Sequence, residues 1–79
     1  KIELDKSIDV RAVFEKIRAK YSQQPMNVED GLRIEFGDDW VHLRTSNTEP
    51  IIRIYAESGF ESTANNIARR LMQDIHEAL

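Results

Sequence analysis

Residues 31–57 read GLRIEFGDDWVHLRTSNTEPIIRIYAE, and the spacing of their apolar side chains decides the fold. Apolar and polar residues alternate in three successive runs, at 32–36, 40–44 and 51–57. This period of two is typical of half-buried β-strands, and the short connections between the runs predict neighbouring antiparallel strands. The residues expected on the buried face are Leu32, Ile34, Phe36, Val41, Leu43, Ile52, Ile54 and Ala56.

The segment before these strands has the three-and-four spacing of an amphipathic helix. We expect a helix over about 8–21, with Ser7 or Asp9 as its cap. Pro25 disfavours helical geometry at the residue before it, so the helix should end before this proline. The apolar stripe consists of Val10, Val13, Phe14, Ile17 and Tyr21.

The C-terminal segment has the same helical spacing, from Ala64 to Ala78. Ser58 followed by Glu61 matches a capping box at its start. Because each helix has a single apolar face, both should pack on one side of the sheet. The sequence therefore predicts an α+β fold, with an antiparallel sheet of three to four strands and two helices on one face.

The composition limits the classes of function. The chain has 79 residues, 11 Lys and Arg against 14 Asp and Glu, a net charge of −3 and no cysteine. This length predicts one small domain, residues 1–79. The acidic balance argues against a broad nucleic-acid-binding face, and no apolar run approaches the ~20 residues that span a membrane. We expect a cytoplasmic location.

Because the sequence starts at Lys1 in a strand-like pattern, we also expect it to be part of a longer protein.

The connection between the second and third strands, RTSNTEP at 44–50, has more binding potential than a turn requires. Arg44 offers a planar guanidinium that can contact two oxygens of one anion. Ser46 and Thr48 offer hydroxyl donors. Asn47 offers an amide and tolerates the left-handed backbone region, in which successive N–H groups can surround an anion. The sequence indicates an anion-binding loop, and a plain hairpin loop remains the alternative.

Arg53 lies two residues into the following strand and has two possible roles. It is either the cross-strand partner of a carboxylate or the second arginine of the anion site. Hydrogen bonds to a charged group contribute about 1.5–3 kcal/mol each, before the cost of ordering both partners. Three or four such bonds predict a weak site for free phosphate, suited to one wall of a larger site.

The stretch RTSNTEPIIRIYAES resembles the phosphate-binding loop of the fourth, C-terminal domain of the phosphohexomutases. This superfamily includes phosphomannomutase and phosphoglucomutase. Its pattern begins with an arginine, any residue and a serine, followed by one position that is glycine or asparagine and then a threonine. Glutamate and proline often come next, and two aliphatic residues and an arginine complete the pattern. Every position matches here. The preceding strands and flanking helices also fit, so the likeness covers nearly the whole chain.

The resemblance implies an intramolecular phosphotransferase of the isomerase class, which interconverts hexose 6-phosphates and hexose 1-phosphates through a bisphosphate intermediate. It implies that Arg44, Ser46, Asn47 and Thr48 hold the phosphate that is not reacting, with Arg53 less firmly assigned. The domain is described in that family as resembling the TATA-binding protein fold.

The family's catalytic serine, Mg²⁺-binding aspartates and sugar-recognition loop lie in its other three domains. We therefore expect no catalytic residue, metal site or cofactor in this chain, and no mutase activity from it alone. Mg²⁺ is expected in the full-length enzyme. The expected partners are the phosphosugar and those three domains, without nucleic acid or membrane.

Two other classes of function remain open. The chain could be a stand-alone protein-interaction module with an incidental polar hairpin loop. It could also be a small nucleic-acid binder with an open sheet, which the acidic charge and few strand aromatics disfavour. Within the resembled family, Thr45 and Asn47 replace residues that are usually proline and glycine in the phosphoglucosamine branch. That favours the phosphomannomutase/phosphoglucomutase branch.

Overall fold

The computed structural model describes residues 2–4, 7–46 and 50–79. It contains the helices and strands that the sequence predicts, and their order gives an α+β architecture. In chain order they are β1 (Ile2–Glu3), α1 (Val10–Lys20), β2 (Met26–Asn27), β3 (Leu32–Phe36), β4 (Asp39–Thr45), β5 (Ile51–Glu57) and α2 (Glu61–Ala78).

The strands form one antiparallel sheet in the order β1-β5-β4-β3-β2. The three long strands are those that the alternating pattern predicts. The expected total of three to four strands is wrong, because the described residues form five. The two short strands, β1 and β2, pair only two residues each at the sheet edges. β1 lies in the strand-like start of the sequence, whereas β2 is too short to produce a recognisable period. The arrangement is compatible with the expected TATA-binding-protein-like fold.

The core lies between one face of the sheet and the two helices. Leu43 of β4 pairs with Leu32 on one side and Ile54 on the other, which brings apolar positions of three strands into line. The apolar stripes of α1 and α2 cover this face, as the sequence predicts. The fully buried side chains are Ile17, Leu32, Ile34, Val41, Leu43, Ile52, Leu71 and Ile75.

The two helices begin differently. Oδ1 of Asp9 accepts hydrogen bonds from the N–H groups of Arg11 and Ala12, at 3.0 and 3.4 Å, and caps α1 as expected. The predicted capping box at α2 is wrong. The N-cap is Phe60, which makes no side-chain cap bond. Oγ of Ser58 instead accepts from the Phe60 N–H at 3.2 Å, so the hydroxyl stabilises the turn before the helix.

A buried carboxylate joins the helices. Asp74 of α2 is 6% exposed and accepts hydrogen bonds from Lys20, at 2.5 Å, and from the hydroxyl of Tyr21. Burial, followed by the bond to Asp74, raises the pKa of Tyr21 well above its ordinary value. The Tyr21 ring also packs edge-on against Phe36, with 5.7 Å between ring centroids. These contacts fix the end of α1 against both α2 and the sheet.

The second face of the sheet is not covered by either helix. Its positions include Arg33 and Trp40, whose guanidinium carbon and ring centroid lie 4.4 Å apart in a cation–π contact. Tyr55, two residues beyond Arg53 on β5, is exposed on the same face. We call this surface the open face. No helix in the described part of the chain is long and apolar enough to span a bilayer.

Candidate anion-binding site

Two arginines meet on the open face where β4 ends and β5 begins. Arg44 and Arg53 are Cα partners in the antiparallel register, and both are exposed. Directly opposite side chains have Cβ atoms about 4.5–5.5 Å apart, and like charges in such a pair destabilise a sheet. An anion placed between the two guanidinium groups would offset this repulsion. The residue opposite Arg53 on β4 is thus an arginine and not a carboxylate, while the part of Arg53 in an anion site stays a prediction.

The two ends of the connecting segment are held by main-chain contacts. Thr45 pairs with Ile52 before the segment, and the carbonyl oxygen of Pro50 accepts a hydrogen bond from the Leu4 N–H at 2.6 Å after it. Pro50 has no N–H group, but its carbonyl attaches the connection to the chain that follows β1. Both ends of the connection are therefore fixed at the same end of the β4–β5 strand pair.

The remaining predicted site residues belong to this connection. Ser46 is half-buried directly after β4. Asn47 and Thr48 lie outside the described residues, so their expected contacts with phosphate stay predictions. The structure thus brings together Arg44, Arg53 and the backbone position of Ser46.

An acidic side chain that the sequence reasoning missed lies beside the arginine pair. Oδ2 of Asp30 is 3.5 Å from an Nη atom of Arg44, and the two side chains are 73% and 50% exposed. The main-chain carbonyl of the same residue accepts a hydrogen bond from Nε2–H of His42, which lies two positions before Arg44 on the open face. Asp30 is therefore part of the immediate surroundings of the candidate site.

Gly31 explains why the turn bearing Asp30 approaches β4 so closely. It has a φ of +75°, and a Cβ atom at this position would collide with the main-chain oxygen of Leu43. Only glycine combines this conformation with such a close approach of two backbones. The sequence signal was the glycine directly after an acidic residue and before the strand, but it does not say which strand the turn would contact.

The described residues do not supply a metal site. Among residues 2–4, 7–46 and 50–79, no group of three or more His, Asp or Glu side chains is arranged to hold a metal ion. Asp38 and Asp39 belong to the β3–β4 turn and the start of β4, at the far end of that strand from Arg44.

Fold and site together define an α+β domain with an exposed cationic junction between two strands. The sequence matches the family described as "Phosphoglucomutase/phosphomannomutase, C-terminal domain" over residues 1–74. The chain belongs to this family.

Several curated proteins are similar to the chain. One is the phosphoglucosamine/phosphogalactosamine mutase of Sulfurisphaera tokodaii, 38% identical over 73 residues and 90% of this chain. A probable phosphoglucosamine mutase of Methanopyrus kandleri is 35% identical over 75 residues and 86% of the chain. The phosphoglucomutase/phosphomannomutase of Thermococcus kodakarensis is 36% identical over 73 residues and 90% of the chain.

The chain spans only 16% of the length of each of these three relatives. Their names include both hexose and hexosamine mutases. The preference for the phosphomannomutase/phosphoglucomutase branch therefore stays a prediction.

Proposed function

We propose that residues 1–79 form the C-terminal, phosphate-binding domain of a larger phosphohexomutase. The observation that carries this proposal is the register that places Arg44 opposite Arg53 beside the RTSNTEP connection. Membership in the family supports it. An exposed pair of directly opposed arginines is unfavourable in isolation, and a bound phosphate would turn the repulsion into a shared charge-assisted contact.

In this proposal the two arginines hold the phosphate from the sheet, while Ser46, Asn47 and Thr48 supply donors from the connection. Arginine suits this position because its planar fork matches the geometry of phosphate oxygens. The contact does not break or form a covalent bond. Its catalytic value is positional, because binding energy from the non-reacting phosphate helps to orient the reacting end of the sugar.

The whole protein would interconvert hexose 6-phosphates and hexose 1-phosphates through a bisphosphate intermediate. Its phosphoserine and Mg²⁺ ligands would lie in the other three domains, which would close with this one around the sugar phosphate. Mg²⁺ would supply charge stabilisation to the transferring phosphoryl group there. We propose a cytoplasmic location for the enzyme.

The direct test is binding of glucose 6-phosphate by the 79-residue chain, measured by calorimetry at low ionic strength. We expect weak, saturable binding, reduced at least tenfold by Arg44→Ala, which corresponds to about 1.4 kcal/mol. Arg69→Ala is the matched control, because it removes an exposed arginine from α2, on the helix side of the sheet. Equal affinities in the two variants would contradict the proposal.

The same preparation tests whether this domain only binds the sugar phosphate while the other domains carry out the chemistry. We expect it to bind the sugar phosphate without converting glucose 1-phosphate to glucose 6-phosphate, with or without Mg²⁺. Turnover above that of a buffer control would overturn the prediction that the chemistry needs the other domains. An unchanged affinity in Arg44→Ala would favour the alternative of a protein-interaction module with an incidental polar hairpin loop.

A further inference from the structure

Asp30 places a fixed negative charge at the edge of the proposed phosphate site. Its carboxylate lies 3.5 Å from Arg44, while its backbone is held by the turn at Gly31 and by the hydrogen bond from His42. An exposed ion pair of this kind is weak by itself. The hydrogen bond from His42 to the Asp30 carbonyl and the close approach of Gly31 to β4 therefore keep Asp30 beside the site without help from the ion pair. Its carboxylate stays near Arg44 when a ligand binds the guanidinium group.

The chemistry of this carboxylate discriminates between anions. An ionised carboxylate only accepts hydrogen bonds. A phosphate oxygen bound to a free N–H of Arg44 would lie roughly 5–6 Å from the Asp30 oxygens, given ordinary hydrogen-bond lengths. At that separation the two negative charges repel each other. A ligand that carries a hydroxyl group close to its phosphate can offset this repulsion by donating the hydroxyl to Asp30.

We infer that Asp30 is a specificity-determining residue, which selects hydroxyl-bearing phosphate monoesters, such as sugar phosphates, over phosphates without neighbouring hydroxyls. This inference rests on the proposed function, because it assumes that Arg44 binds the phosphate. It goes further by assigning a role in ligand choice to a residue outside the RTSNTEP connection. The residue contributes no covalent chemistry.

The test compares glucose 6-phosphate with methyl phosphate, a monoester of similar charge without hydroxyl groups. The wild-type chain should bind glucose 6-phosphate more tightly. Asp30→Asn should strengthen binding of methyl phosphate and reduce the preference for the sugar phosphate by about threefold or more, a typical effect of one exposed charged contact. Asp30→Ala, which also leaves the main-chain contacts in place, should reduce it similarly.

Asp38→Asn is the matched control, because it removes the same charge from the turn at the opposite end of β4. It should leave the preference unchanged. If Asp30→Asn changes both affinities by the same factor, or neither, the inference is wrong while the proposed function stands. If the wild-type chain binds neither ligand, both fail. An unchanged amide spectrum and melting temperature establish that each variant is folded.

Discussion

Arg44 and Arg53 stand opposite each other across the β4–β5 pair, on the face that no helix covers. At about 5–6 Å in water, two unit charges repel by somewhat less than 1 kcal/mol. No carboxylate of the described residues pairs with Arg53, whereas Arg44 has only the exposed Asp30. Among the described residues, Arg53 therefore has no acidic partner to balance its charge.

This charge pair predicts a specific dependence on anions. At low ionic strength, Arg53→Gln should raise the free energy of unfolding by about 0.5 kcal/mol, because it removes the like-charge contact.

Added phosphate should raise the melting temperature of the wild-type chain more than chloride at equal ionic strength, since a ligand that binds only the folded state stabilises it. Arg53→Gln should lose most of this difference, and Arg69→Gln should keep it. Equal responses of the two variants to phosphate would contradict the prediction.

The turn beside the site gives a prediction about the backbone. Gly31→Ala should destabilise the fold by more than about 2 kcal/mol, because the left-handed conformation alone costs a residue with a Cβ about 1–2 kcal/mol and the Cβ would also meet the Leu43 oxygen. Gly37 is the matched control, since it has a similar φ of +67° with nothing within 4 Å of the added Cβ. Urea unfolding should give a smaller loss for Gly37→Ala, near the conformational cost alone. Equal losses would mean that the turn can move away from β4.

The contact between the helices predicts a loss of stability in alkali. Tyr21 has a pKa raised above its ordinary value of 10.0 in the folded chain, and Lys20 has one raised above 10.5. The unfolded chain therefore loses these protons first as the pH rises. The stabilisation is fully present below about pH 10 and is lost progressively above it.

Tyr21→Phe separates the hydroxyl from the ring. It should cost about 1–2 kcal/mol at pH 7, since it removes a hydrogen bond to a charged acceptor but keeps the edge-on packing against Phe36. It should also flatten the fall in stability between pH 10 and pH 11.5. Chemical unfolding at a series of pH values measures both effects. A variant with the same alkaline slope as the wild type would show that Tyr21 does not contribute to it.

The long elements could be predicted from the sequence because each has a clear period. β3, β4, β5 and the apolar stripes of both helices follow from alternation or three-and-four spacing. The start of the sequence is strand-like and contains β1, whereas β2 has only two residues and its existence depends on tertiary pairing with β3. The start of α2 was also missed, because spacing alone does not say that Ser58 bonds within the preceding turn.

The candidate site was predictable only in part, for a related reason. Arg44, Ser46 and Arg53 could be chosen from residue type and local spacing. Asp30 could not, because its contact with Arg44 joins residues 14 positions apart in sequence through a turn whose approach depends on Gly31. The direct opposition of the two arginines likewise depends on the register. Alternation excludes a slip of one residue, which would expose the apolar face, but it does not exclude a shift of two residues.

The central claim is that the junction of β4 and β5 binds phosphate, and amide chemical shifts test it most directly. Titration of the isotope-labelled chain with glucose 6-phosphate should shift the signals of residues 44–48 and Arg53 in a saturable way. Arg44→Ala should lose these shifts while the rest of its spectrum remains that of the folded chain. Unchanged signals at the junction up to millimolar ligand, or the same shifts in Arg44→Ala, would contradict the account.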